Sequence, residues 1–136
     1  MANYKIEDVE GIGPATGKKL REAGVKDTDA LLASCRTPRD RKALAEKSGL
    51  TKAQILKFAN MVDLYRISGV GSEYSELLEA AGVDTVPALA RRNAANLTTA
   101  LAEANAAKKL TRRVPTESEV VKWIEQAKSL PRMLEY

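Results

Sequence analysis

Apolar residues recur at helical spacing in two segments of the chain. In each segment, apolar side chains at positions i, i+3 and i+7 line one face of a helix. These residues are Ile55, Phe58 and Val62 in the first segment, and Val120, Trp123 and Ala127 in the second. Phe58 and Trp123 occupy matching positions, so we expect both rings to pack in the core rather than to stack on nucleic-acid bases.

Helix-start signals precede both segments. Thr51 with Gln54, and Thr116 with Glu119, fit the capping box, in which two side chains satisfy unpaired backbone donors reciprocally. The Thr-Pro pair at 37–38 marks the start of a further helix, because proline is favoured in a first helical turn. With helix punctuation instead of strand alternation, the pattern predicts an all-α fold.

A longer pattern occurs twice in the chain. Residues 9–25 read VEGIGPATGKKLREAGV and residues 67–83 read ISGVGSEYSELLEAAGV, with the glycines and apolar positions kept. Gly24 and Gly82 stand where helix C-caps favour glycine, so each G-x-G is predicted to open a helix that closes at the next glycine. Such self-similarity indicates a structural unit that is present in tandem.

We therefore divide the chain into a first unit, residues 1–66, and a second unit, residues 67–136. No Gly- or Ser-rich linker separates them, so we expect the units to pack as one compact helical body. The second unit carries an insertion at 105–115, which we interpret as a loop or a helix extension. Its four basic residues make it a candidate contact surface, although most such runs are solvated.

The first G-x-G turn has features that suit an anion. Gly11 and Gly13 allow unusual backbone angles, while Ile12 between them is expected to face inward. The helix that follows begins with unpaired N–H groups at the positive end of its dipole, and Thr16 is among the residues of this first turn. A phosphate oxygen is therefore a suitable ligand for these amides.

The two turns differ in the charges that follow them. The second turn consists of Gly69, Val70 and Gly71. Lys18 and Lys19 follow the first turn, whereas Glu73, Glu76 and Glu79 occupy the helix after the second. Because carboxylates repel a phosphate, we expect the first turn to bind it and the second to serve architecture or a basic partner.

Charge is unevenly distributed along the chain. The net charge is +4, and residues 1–66 carry 13 basic and 9 acidic side chains, whereas residues 67–136 carry 9 of each. A basic cluster in the first half strengthens the expectation of phosphate contact there. Its members are Arg36, Arg39, Arg41 and Lys42.

The composition excludes several kinds of site. Cys35 is the only cysteine and histidine is absent, so intrachain disulfides, zinc sites and histidine catalysis are ruled out. Cys35 is expected to be an ordinary half-buried thiol. No nucleophile, base and orienting group can be assembled, which predicts a non-enzyme without metal or cofactor. The absence of a signal peptide or membrane-spanning run predicts a cytoplasmic protein.

The repeated motifs VEGIGPATGKKL and ISGVGSEYSELL resemble the helix-hairpin-helix family. That resemblance implies two units of a kind that grips nucleic-acid backbones without reading sequence. The double unit, with its RTP and LTKAQILKF segments, also resembles domain of unknown function 4332 over nearly the whole chain. This second resemblance bears on the fold rather than on function.

We therefore expect a non-catalytic module that contacts DNA or RNA backbone through the first turn and the basic residues near it. The alternative is a protein-interaction or self-assembly module. In that case the basic unit of one molecule docks head to tail with the more acidic unit of another. Neither alternative involves a membrane.

Overall fold

The computed structural model describes residues 3–136, and this part of the chain is helical, as predicted. A short 3-10 helix, Ile6–Asp8, precedes eight α-helices. The helices are α1 (Pro14–Glu22), α2 (Thr28–Ala33), α3 (Pro38–Ser48), α4 (Lys52–Leu64), α5 (Ser72–Ala80), α6 (Val86–Ala90), α7 (Ala94–Lys108) and α8 (Glu117–Ser129). Within residues 3–136, no helix combines the length and apolar character needed to cross a membrane.

The chain divides into two compact units. One comprises residues 3–63 together with 132–136, and the other comprises residues 64–131. The expected division after residue 66 therefore lies close to the observed boundary, but the last five residues lie with the first unit. Within these five residues Leu134 is the buried side chain, with 1% exposure.

Side-chain caps begin most helices of the first unit. Asp27 accepts a hydrogen bond from the third helical amide of α2, and Thr37 does the same for α3, which opens with proline as predicted. The capping box at the start of α4 is confirmed, since Thr51 and Gln54 bond each other's backbone amides at 3.0 and 3.1 Å. These caps satisfy donors that have no partner within the helix.

Gly24 ends α1 as predicted. It adopts a φ of +93°, and its N–H donates to Arg21 O at 3.0 Å while Val25 N donates to Leu20 O at 2.8 Å. This pair of bonds is the Schellman motif, which needs a left-handed residue after the helix. Gly82 ends α5 with a φ of +90° and the same two bonds.

The second unit is built around α8. α6 and α7 pack against α8, and α5 packs against α7. Thr116 and Glu119 form the predicted capping box at the start of α8. The 105–115 insertion proves to be both a helix extension and a loop, because α7 continues to Lys108 and the Asn105 side chain then bonds Thr111 through both its N–H and its C=O group.

Candidate nucleic-acid interface

The first glycine turn matches the prediction at Gly11 and Ile12, whereas Gly13 has an extended backbone that other residues also adopt. Gly11 has a φ of +89°, which only glycine adopts without strain. Ile12 donates its amide to Val9 O at 3.0 Å, and its side chain is 3% exposed. Ile12 therefore anchors the turn to the core and does not face a ligand.

Helix α1 begins at this turn without a side-chain cap. Gly13 is the N-cap residue, with φ −85° and ψ −175°, and Pro14 has no N–H to donate. Gly17 N bonds Gly13 O at 2.8 Å, so the first-turn amides left without a helical acceptor belong to Ala15 and Thr16. Gly13, Pro14 and Ala15 are exposed, and a Cβ at Gly13 would meet no described atom within 4 Å. The positive end of α1 is thus open to solvent.

Lys18 and Lys19 lie one turn further along α1, and both are exposed. Because Cα–Cβ bonds tilt toward the N-terminus of a helix, both lysines start toward the end of α1 that carries the amides of Ala15 and Thr16. In the repeated pattern Lys19 corresponds to Leu77, which is fully buried in α5. The first unit therefore exposes a helix side that the second unit buries.

Glu7 lies against α1, a contact that no pattern in the sequence predicts. A Cβ at Gly17 would come within 2.6 Å of Glu7 Oε2, so glycine at position 17 makes room for this carboxylate. Arg21 donates to both Glu7 oxygens, at 2.7 and 2.6 Å. These bonds lower the pKa of Glu7 to about 2. The positive charge of Arg21 thus compensates the negative charge of Glu7 next to α1.

The basic cluster in and just before α3 separates into exposed and buried members. Arg36, Arg39 and Lys42 are exposed, whereas Arg41 is only 6% exposed. Arg41 donates to Cys35 O at 2.9 Å and to Glu135 O at 2.7 Å. Its guanidinium therefore links the start of α3 to the C-terminal segment. We therefore remove Arg41 from the predicted phosphate contacts. Since α1 packs against α3, the exposed members belong to the same unit as the first turn.

The C-terminal segment 132–136 completes this part of the unit. Glu135 N donates to Arg36 O at 2.7 Å, and the Tyr136 hydroxyl donates to Asn60 Oδ1 at 2.8 Å. The guanidinium groups of Arg41 and Arg132 lie 5.7 and 5.6 Å from the centre of the Tyr136 ring. No local sequence signal links residues so far apart in the chain.

The second glycine turn shares its backbone conformation with the first. Gly69 has a φ of +93°, Val70 is buried, and Gly71 is the uncapped N-cap residue of α5 with a φ of −106°. Glu73 is exposed in the first turn of α5, where its charge opposes an approaching anion.

Both matched aromatic rings are buried beside a glycine turn, as predicted for core residues. Phe58 is 5% exposed and Trp123 is 3% exposed. A Cβ at Gly11 would lie 3.5 Å from Phe58 Cε1, and a Cβ at Gly69 would lie 3.2 Å from Trp123 Nε1. Each ring therefore packs against a glycine of its turn, where a side chain would come close to the ring.

All four basic residues of the insertion are exposed, but only Arg113 has a carboxylate partner among the described contacts. The other three are Lys108, Lys109 and Arg112, whereas Arg113 donates to both oxygens of Glu119, at 2.6 and 2.9 Å. The bonds from Arg113 lower the pKa of Glu119 to about 2. Arg113 is thereby engaged in fixing the loop to the start of α8.

Cys35 is fully buried rather than half-buried. Burial raises the pKa of its thiol to about 12, so Cys35 remains protonated at neutral pH. It acts as a small apolar side chain of the core.

The fold and this surface define an all-helical protein with two units, each with a helix that begins at an uncapped glycine turn. The chain belongs to the family described as Domain of unknown function (DUF4332), whose model matches residues 10–130. No curated protein and no solved structure matches the chain.

Proposed function

We propose that the first unit binds the backbone of DNA or RNA without reading base sequence and without catalysing a reaction. The observation that carries this proposal is the start of α1, which is exposed, uncapped and followed by two exposed lysines. Unpaired amides at the positive end of a helix suit a phosphate oxygen.

The resemblance to helix-hairpin-helix proteins supports the same proposal. Gly11 and Gly69 adopt nearly equal φ values, and an inward apolar residue follows each of them. On this interpretation the motif occurs twice, and only the first copy has the charge for a phosphate. Lys18 replaces the carboxylate that Glu76 supplies in the second copy.

Exposed cations extend the proposed contact beyond the turn. Lys18 and Lys19 would neutralise the phosphate held at the amides. Arg36, Arg39 and Lys42 in and beside α3 would neutralise neighbouring phosphates. Contacts of this kind position a protein on a duplex and carry no sequence information.

The test is a binding titration against duplex DNA, single-stranded DNA and RNA at two salt concentrations. For duplex DNA, the logarithm of the binding constant should fall with the logarithm of salt concentration, with a slope of about −0.9 per phosphate neutralised. The double variant Lys18→Glu/Lys19→Glu should lose detectable binding. Its circular dichroism spectrum and unfolding midpoint should stay close to those of the unmodified protein.

A matched control keeps the same change in net charge. Lys26 and Lys47 are exposed residues of the same unit outside the proposed surface. The variant Lys26→Glu/Lys47→Glu should retain most of the affinity. Equal losses in both double variants, or no binding at low salt by the unmodified protein, would refute the proposal.

A further inference from the structure

A groove with an apolar floor and a basic rim lies between α3 and α4. It encloses about 440 Å³ and is open to solvent. Pro38, Ala53 and Leu56 supply apolar surface, while Arg39, Lys42 and Lys52 supply positive charge; Arg41 also lines it. No acidic residue lines this groove among the described residues. A phosphate backbone alone would leave the apolar floor unused, so the groove fits a segment that combines an apolar side chain with carboxylates.

The chain itself presents such a segment on α8. Glu117, Val121 and Glu125 are spaced at i, i+4 and i+8, so they form one stripe along the helix. All three are exposed, and Val121, at 37%, is one of three large apolar side chains exposed within residues 3–136. The stripe thus places an apolar side chain between two carboxylates.

We propose that the α8 stripe of one molecule docks into the α3–α4 groove of a second copy. Val121 would cover the apolar floor, and Glu117 and Glu125 would face the cations of the rim. This association goes beyond the proposed binding of nucleic acid. Because groove and stripe are different surfaces, the contact is heterologous and builds chains or rings instead of a closed dimer.

The structure favours α8 over α5 as the acidic partner. The sequence offers, as an alternative to nucleic-acid binding, head-to-tail docking of the basic unit with the more acidic unit, and α5 is its most acidic helix after a glycine turn. In α5, however, Glu76 and Glu79 are only partly exposed, and Tyr74 packs against Trp123 with ring centres 5.3 Å apart. That helix has no exposed large apolar side chain to fill the groove.

The test uses reciprocal charge reversal, with mass measured by sedimentation velocity and light scattering across a concentration series at low salt. The unmodified protein should gain average mass as its concentration rises. In the proposed contact Lys52 faces Glu125, so Lys52→Glu brings two acids together and Glu125→Lys brings two cations together. Each variant alone should associate at least about tenfold more weakly, since like charges across an interface oppose binding.

An equimolar mixture of the two variants provides the decisive measurement. Each contact between the two variants pairs opposite charges, so association should return in the mixture, and also in the double variant Lys52→Glu/Glu125→Lys. The control Lys47→Glu, an exposed residue on the other side of α3, should behave as the unmodified protein. A monomer at every concentration, or a mixture that remains monomeric, would overturn the proposal.

The two proposed surfaces share Arg39 and Lys42, but this experiment tests self-association by itself. It contains no nucleic acid, and neither Lys52 nor Glu125 belongs to the proposed phosphate contacts. If the protein does not self-associate, the nucleic-acid proposal still stands. If it does not bind nucleic acid, the self-association proposal still stands.

Discussion

A guanidinium group removed from water needs acceptors for its N–H donors, and Arg41 finds them in the main chain. Its two bonds reach the carbonyls of Cys35 and Glu135, which are far apart in sequence. Arg39, two residues earlier, is exposed. Two arginines from one basic cluster thus have different roles because only one of them is buried.

Replacing Arg41 should destabilise the protein. Arg41→Met keeps apolar volume but leaves both carbonyls without a charged donor, and such bonds are worth about 1.5–3 kcal/mol each before relaxation. We expect the free energy of unfolding, measured in urea, to fall by about 2 kcal/mol or more. The neighbouring control Arg39→Met should change it by less than about 0.5 kcal/mol. Equal values for the two variants would contradict the structural role of Arg41.

Two partly exposed carboxylates should make stability depend on acid pH. Glu7 and Glu119 have a pKa lowered from 4.5 to about 2 by bonds from Arg21 and Arg113, respectively. Because the folded state holds these groups ionised, their contribution is present above pH 4.5 and is lost as the pH falls toward 2.

The corresponding measurement is urea unfolding between pH 6 and pH 2 for the unmodified protein and for Glu119→Gln, which cannot ionise. The variant should be less stable near neutral pH, and the difference should shrink as the pH falls through this window. A difference that is constant across the range would show that Glu119 contributes by packing or capping and not by charge.

At the scale of single elements, the helices differ in how they begin. Side chains cap α2, α3, α4, α6, α7 and α8, whereas α1 and α5 begin at glycine. The backbone of Gly13 lies in the extended region that the side-chain caps also use. A serine at position 13 could therefore cap α1 and occupy the same amides that are proposed to bind phosphate.

Gly13→Ser should separate stability from binding. A serine cap should stabilise α1 by a few tenths of a kcal/mol relative to glycine. By competing for an amide, it should weaken binding to duplex DNA by about threefold to tenfold. Thermal unfolding and the titration described above measure the two effects. Unchanged affinity in a more stable variant would exclude these amides from the binding surface.

The matched variant Gly24→Ser changes a glycine at the other end of the same helix. Gly24 has a φ of +93°, so a side chain there costs about 1–2 kcal/mol in backbone strain. We expect lower stability and unchanged affinity under conditions where the protein stays folded, the reverse of the result for Gly13→Ser.

At the scale of the whole molecule, the first unit is completed by residues from the end of the chain. Leu134 is 1% exposed. The next two residues, Glu135 and Tyr136, form hydrogen bonds to Arg36 and Asn60 of the first unit. Contacts between residues so distant in sequence close a long loop, which costs chain entropy.

Leu134→Ala should therefore lower the stability of the first unit, although most of that unit lies far from Leu134 in the sequence. Truncation of a buried leucine typically costs about 2–5 kcal/mol. Hydrogen exchange followed by mass spectrometry should show faster exchange within residues 3–63. Met133→Ala, at a partly exposed neighbour, serves as the control. Exchange that rises only within residues 64–131 would contradict this assignment of the C-terminal segment.

The sequence alone determined the helical class, the capping boxes, the C-capping glycines and the inward residues of both turns. These features depend on contacts within a few residues, and their spacing is visible in the chain. Only the tertiary structure decided that Arg41 is buried, that Glu7 pairs with Arg21 across Gly17, and that Leu134 lies in the first unit. Burial and pairing of this kind depend on which distant segments meet, and charge or spacing along the chain does not encode that directly.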